Sequence, residues 1–342
     1  MQQAKRILLI GLGRWGVNHL RVLQSMPVEL FVAETDPERL KSANVPASHR
    51  TADAASLFPV IDAAVVVTPA QTHSKLCQGL LEAGKDVFVE KPITSESADA
   101  NKLVELAKRS GLVLQVGHIF RFDPASVWMR DAIAQGRFGE IKMLRANFSG
   151  FKRPRRDTGV TFADGIHFID LFRFLLGRSP CRVHAVMRNF LGREGEMDDE
   201  SIIVLEYDRE DPFDKLRTGG APILATIESG YHLPGKVREL TIVGKDSSAI
   251  CDYNVAQYKI KTFENRHVRD GLEIKAKEGA MHQLEFPPEE PLRAELAAFL
   301  NAIETRRAPL VDGTDGMEAV RVVEAALESA RTGKWIDIGE QF

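Results

Sequence analysis

Three groups of residues in this chain have types and spacings that could do chemistry. Val87-Phe88-Val89-Glu90-Lys91-Pro92 sets an acid and an amine at the end of an apolar run. Proline withholds a backbone donor and biases Lys91 away from helical geometry, so a buried strand ends there. At the carboxyl end of a strand in an open α/β sheet, where ligands bind, such an amine could steady a developing negative charge. Asp164, His167 and Asp170 recur every third residue before a helical run closed by Gly177. On one continuous helix they share a face. A histidine near a helix N-terminus stays neutral at pH 7, which suits a general base. Each group also has a plainer description: a surface lysine at a turn, and an N-cap, a satisfied histidine and a surface acid. The flanking sequence decides.

The third group supplies that context. Gly11-Leu12-Gly13-Arg14-Trp15-Gly16 follows an apolar strand, Ile7–Ile10, and opens a helical pattern through Val17, Leu20, Val22 and Leu23. Strand, glycine turn and helix in this order form the dinucleotide fingerprint. Gly11 makes the tight turn, Gly13 admits a pyrophosphate and Gly16 lets helix and strand approach. Arg14 and Trp15 lie on the same turn and count as cofactor contacts. After a second strand, 28–33, Glu34 stands 18 residues past Gly16, near the spacing for an acid that bonds the adenosine ribose. A carboxylate there repels a 2′-phosphate, so NAD is expected and NADP disfavoured. Asp36 caps a helix starting at Pro37.

The elements that must position these groups alternate. Strands at 63–67, 87–90 and 113–116 are separated by helices around 73–82 and 97–109, as in a doubly wound parallel sheet. From Asp123-Pro124, a capped helix start, the pattern changes. Extended stretches at 141–148, 182–190, 201–207, 223–229, 237–243 and 258–263 imply an α+β domain with a mostly antiparallel open sheet. The charged, glycine-rich stretch 209–222 is expected to be a solvated hairpin loop. Helices at about 291–306 and 313–332 complete the chain. The expected domains are a dinucleotide-binding domain at 1–122, a substrate and oligomerisation domain at 123–305, and a tail at 306–342 packing back on the first.

Composition narrows the class. With 342 residues, 44% hydrophobic and 27% charged, the chain is an ordinary globular protein. A formal net charge of −3 gives no basic field for nucleic acid. The N-terminus lacks a signal-peptide pattern and no apolar run reaches membrane-span length. Cys77, Cys181 and Cys251 are scattered and odd in number, which suits a reduced cytoplasm rather than disulfides. No further ligands at sensible spacing accompany the Asp/His triplet, so no metal is expected. Lys152-Arg153-Pro154-Arg155-Arg156 puts four positive charges in five residues. Such a run is usually a solvated face or loop, but leading into the proposed catalytic helix it could meet a phosphate-bearing substrate.

Taken together these motifs resemble the Gfo/Idh/MocA oxidoreductases over nearly the whole chain. The glycine turn, Thr68-Pro69 with His73, Glu90-Lys91-Pro92 and the helix holding His167 and Asp170 fall in that family's order. Gly117-His118-Ile119-Phe120-Arg121-Phe122-Asp123-Pro124 is similar to the nucleotide-sugar 3-dehydrogenase branch. The resemblance implies an NAD-dependent dehydrogenase acting on a sugar or nucleotide-sugar hydroxyl. Lys91 and His167 would be catalytic, and Glu90 would seat Lys91 and the nicotinamide ribose. Thr68, Pro69 and His73 would lie along the cofactor. His118, Arg121, Arg153, Arg155, Arg156 and His167 would meet the substrate, and copies of the chain would form a dimer or tetramer. One departure stands out: the family's catalytic aspartate precedes the histidine by four residues, where this chain has Ala163, with Asp164 one step later. Either Asp164 takes the catalytic aspartate's place through a local backbone adjustment or the enzyme leans on His167 and Lys91 alone. Rival readings are an NAD-dependent glycosidase and a catalytically silent NAD-binding regulator.

Overall fold

The computed structural model describes residues 4–208 and 221–339, so all but the last two residues of the expected 209–222 loop lie outside the described residues. In chain order the elements are β1 (Lys5–Ile10), α1 (Gly16–Leu23), β2 (Val28–Ala33), α2 (Pro37–Ser42), β3 (Arg50–Thr51), β4 (Ala63–Val66), α3 (Ala70–Glu82), β5 (Asp86–Glu90), α4 (Ser97–Ser110) and β6 (Leu114–Gly117). There follow α5 (Pro124–Ala134), β7 (Ile141–Gly150), α6 (Ile166–Leu176), β8 (Arg182–Arg188), β9 (Glu200–Tyr207), β10 (Ile223–Gly230), β11 (Lys236–Gly244), β12 (Ser248–Asp252), β13 (Ile260–Phe263), β14 (Arg266–Asp270), β15 (Glu273–Lys277) and β16 (Met281–Leu284). The chain closes with α7 (Pro291–Thr305), α8 (Gly313–Thr332) and β17 (Ile336–Asp337).

Two compact units emerge, the first running to Phe122 and taking in Glu290–Arg321, the second holding Asp123–Glu289 and the chain from Val322. In the first, a six-stranded sheet has the order β3-β2-β1-β4-β5-β6, with all neighbours parallel. Its central strands are buried along their whole length, as helices on both faces require. The order reverses between β1 and β4, and at such a switch point the carboxyl ends of the strands leave a crevice.

In the second unit a nine-stranded sheet has the order β16-β13-β12-β11-β7-β10-β9-β8-β17. Only β7 and β10 pair in parallel, so the sheet is mostly antiparallel. One face buries Leu144, Ala146 and Phe148 of β7 while the intervening residues are exposed or half-buried, the alternation of a sheet covered on one side. β14 and β15 form a separate exposed hairpin.

Two boundaries differ from expectation. α7 was assigned to the antiparallel domain, yet Leu292, Leu296, Phe299, Ala302 and Ile303 pack into the core of the first unit with Ile7, Leu9 and Phe88. Their three-and-four spacing makes one apolar stripe, and that pattern does not reveal which sheet will cover it. The tail is also divided, for α8 changes units after Arg321 and β17 pairs with β8. Among the described residues no helix is long and apolar enough to cross a membrane.

Candidate active site

The glycine turn sits at the end of β1. Gly11 has φ +97°, and a Cβ there would stand 2.6 Å from the Val67 carbonyl oxygen. A Cβ on Gly16 would meet the Gly11 carbonyl oxygen at 2.1 Å, whereas Gly13 faces open space with nothing within 4 Å. The first turn of α1 carries neither an acid nor a side-chain cap, so its N–H groups suit an anion. Glu34 is buried at the end of β2 and accepts hydrogen bonds from the backbone N–H of Leu12 at 2.6 Å and of Asp36 at 2.9 Å. It therefore puts negative charge beside the turn, which fits an unphosphorylated adenosine ribose and hence NAD. Asp36 caps α2 through Glu38 and Arg39, as expected.

Lys91 follows β5, joined to Pro92 by a cis peptide bond. Glu90 holds the position. Its Oε1 accepts from Trp15 Nε1 at 2.6 Å and lies 2.8 Å from His19 Nε2, and its Oε2 accepts from Lys91 N at 3.1 Å. Burial opposes the charged form, but the bonds from His19 and Trp15 and the Lys91 charge outweigh it, leaving the carboxyl below its usual range. A Cβ at Gly117 would stand 3.1 Å from this carboxylate, a tight contact to which the Glu90 side chain would have to give. His19 is fully buried and its Nδ1 has no partner. A carboxylate oxygen only accepts, so Nε2 is the donor of this pair. His73 was expected along the cofactor. It is buried, with Nδ1 2.8 Å from the Pro92 carbonyl oxygen and Nε2 2.9 Å from that of Thr68. It ties the Thr68-Pro69 turn to the segment after Lys91, while Thr68 Oγ1 bonds Thr72 Oγ1 at 2.6 Å.

The second unit holds the histidine. Thr161–Gly165 is a π turn and α6 begins only at Ile166. A π turn takes more residues than an α turn, so Asp164 is out of α-helical register with His167 and Asp170, which both lie on α6. Asp170 is buried rather than at the surface. Asp198 bonds the start of the turn, accepting from Thr161 N at 2.9 Å and Thr161 Oγ1 at 2.7 Å. Asp164 is buried against Lys152, whose Nζ lies 2.6 Å from its Oδ2. That ammonium also stands 4.7 Å from the Phe148 ring centre and 5.4 Å from that of Tyr231. The Phe148 ring stacks on His167 at 5.6 Å with an interplanar angle of 10°. Burial, with the nearby Asp164 charge, pushes the Tyr231 phenol up.

Other expected contacts are placed differently. Arg121 is buried and donates to Asp315 Oδ2 at 3.0 Å and to the Leu310 carbonyl at 3.3 Å, which ties it to the start of α8. His118 is buried just after β6. In the basic run, Lys152 is bound to Asp164 and Arg155 to Asp157, and Arg153, Arg155 and Arg156 are all exposed. Sequence reasoning missed His19, one helical turn beyond Gly16, and the engagement of Lys152. The first had a legible signal, a polar residue on the inward side of the fingerprint helix. Among the described residues no group of three or more His, Cys, Asp or Glu could hold a metal.

Comparison with known proteins agrees with this layout. Residues 5–118 match the GFO_IDH_MocA oxidoreductase family, NAD-binding Rossmann fold, and residues 130–338 match its C-terminal alpha/beta domain. Inositol 2-dehydrogenase of Rhizobium meliloti is 26% identical over 97% of this chain and 99% of its own. UDP-N-acetylglucosamine 3-dehydrogenase of Acidithiobacillus ferrooxidans is 27% identical over 94% of each. A levoglucosan dehydrogenase solved with NADH and levoglucosan superposes with a TM-score of 0.80 at 20% identity, over 99% of this chain and 100% of that one. With both of its domains matched across most of its length, the chain belongs to the Gfo/Idh/MocA oxidoreductase family.

Proposed function

We propose that this protein is an NAD-dependent dehydrogenase that oxidises a secondary hydroxyl of a sugar, inositol or nucleotide sugar to the ketone, or runs the reverse. The observation that carries the reading is Lys91, fixed at the carboxyl end of β5 by a buried Glu90 that is itself bonded to the fingerprint turn. When bound, NAD supplies the hydride acceptor. The glycine turn and the N-terminus of α1 bind its pyrophosphate, and Glu34 its ribose. Lys91 Nζ donates a hydrogen bond to the substrate oxygen and stabilises negative charge as the proton leaves. His167 takes that proton through Nε2, a reading supported by the burial of its Nδ1. Asp164 supplies the fixed negative charge in this half of the machinery, and Arg153 and Arg156 address a diphosphate. The enzyme works in the cytoplasm as an oligomer of identical chains.

Nicotinamide absorbance tests the reading on a panel of inositols, hexoses and UDP-sugars with NAD. Stoichiometric NADH formation with at least one of them is expected. Glycosidic cleavage without net NADH would establish the glycosidase alternative, and NAD binding without any turnover the silent one.

A further inference from the structure

The face of the antiparallel sheet that carries His167 also gathers cations. Residues directly opposite one another in a sheet share a face, and Arg238 stands opposite Phe148 while Lys236 stands opposite Gly150. Phe148 packs on His167 and Phe168 of α6. Arg238 and Lys236 therefore rise from β11 on the helix-covered face, the face of the histidine. The Arg238 guanidinium carbon lies 4.4 Å from the Phe148 ring centre, and Lys152 Nζ lies 4.7 Å from the same point. Backbone bonds fix the approach of this third cation, from Phe151 N to the Gly235 carbonyl and from Lys152 N to the Tyr231 carbonyl. The charges act on one another: Arg238 first, then burial and Lys152, hold the Lys236 amine below its ordinary range. Asp164 is the acid paired with this group, through Lys152. Three positive charges beside one carboxylate leave an excess next to the proposed base, and a neutral sugar would do nothing to offset it.

Building on the dehydrogenase reading, we infer that Lys152, Lys236 and Arg238 form an anion subsite beside His167, and that the substrate is a polyol or sugar bearing a carboxylate or phosphate group. The guanidinium can take two oxygens of either anion side by side. The ammonium of Lys236, exposed at the start of β11, supplies a mobile point charge.

The test compares D-glucose with D-glucuronate, glucose 6-phosphate and UDP-glucose, using the full-length protein and NAD. The expected kcat/KM for at least one anionic sugar exceeds that for glucose by about tenfold or more, as one charge-assisted hydrogen bond provides. Which of the three is preferred distinguishes carboxylate, phosphate and diphosphate. In Lys236→Glu, a charge reversal at an exposed position, the anionic-to-neutral ratio falls below that of the wild type; Arg238→Met lowers it as well. Equal kcat/KM for charged and neutral sugars, or a ratio unmoved by Lys236→Glu, overturns the subsite while leaving the dehydrogenase reading intact. If none of the four turns over, calorimetry with the same compounds decides the subsite, and the dehydrogenase reading is judged on its own wider panel. Anionic sugars binding about tenfold tighter than glucose support it, and equal binding overturns it.

Discussion

His19 Nε2 lies 2.8 Å from Glu90 Oε1, joining residues 71 positions apart in the chain within the interior of the first unit. Glu90 in turn holds the backbone of Lys91. On the dehydrogenase reading His19 would be a positioning residue, holding the carboxylate that bonds the backbone N–H of Lys91. His19→Leu keeps the packing against Phe88 but removes a donor from a buried carboxylate, at a cost of about 1–3 kcal/mol. The Glu90 carboxyl lies below its usual value in the fold, so its stabilisation is present above 4.5 and lost as pH falls through the lower native value. In His19→Leu that acid-sensitive contribution should shrink, while His19→Gln, which can offer an N–H in the same place, restores part of it. Thermal unfolding across pH 2–6 reads this directly. Identical acid sensitivity in wild type and His19→Leu would leave the histidine with packing alone.

Lys91→Met tests the amine itself. Removing one donor that stabilises developing negative charge costs about a hundredfold to a thousandfold in kcat. NAD affinity, carried by the glycine turn and Glu34, should move far less, as measured by calorimetry. Turnover near the wild-type rate would take Lys91 out of the mechanism.

Asp164 precedes the histidine by three residues, on a π turn and bound to Lys152. If this carboxylate serves the chemistry, Asp164→Asn lowers kcat by about tenfold or more, within the range for acid–base assistance. Lys152→Met leaves a buried carboxylate without its cation. Breaking a fully buried pair costs about 3–5 kcal/mol, but Lys152 is 34% exposed, and solvent screening reduces the expected loss to about 1–2 kcal/mol. Unchanged kcat in Asp164→Asn, with only a lower melting temperature, would confine the pair to structure.

What could be read from the sequence was what is local. The glycine turn, the Asp36 and Asp123 caps and the stop at Gly177 each depend on neighbours a few residues away, and α8 spans the expected 313–332. The π turn was not legible, because its cause includes Asp198, which bonds Thr161 from 37 positions away. The pairs of Lys152 with Asp164 and of Arg121 with Asp315 were hidden for the same reason. The charge run and the family-like motif named the residues, but only the fold chose their partners. Strands β12, β14, β15 and β16 were missed too; β14 and β15 are exposed on both faces, so no apolar alternation marks them.

The destination of α7 gives a stability prediction. Phe299 is 1% exposed in the first unit's core and packs edge-on against Phe88 at 5.9 Å. Phe299→Ala should cost about 3–5 kcal/mol. Because Phe88 lies on the strand that ends at Glu90 and Lys91, NAD binding should weaken alongside the melting temperature. Loss of stability with intact NAD affinity would separate α7 from the strand it packs on.

Asp198 gives the last prediction its sign. Burial raises its carboxyl above 3.8, against the opposing bonds from Thr161. A group with a raised native value binds its proton more tightly folded than unfolded, so stability falls as pH climbs from about 4 through that value. Both Thr161 donors converge on one oxygen, Oδ2, which an asparagine carbonyl can reproduce with its two lone pairs. Asp198→Asn therefore keeps the tie to the π turn and removes the ionisation. Its melting temperature relative to wild type should rise as pH climbs from about 4 through the raised native value and level off above it. A difference that stays flat across that interval would mean that the carboxyl at the start of the turn ionises as readily folded as unfolded.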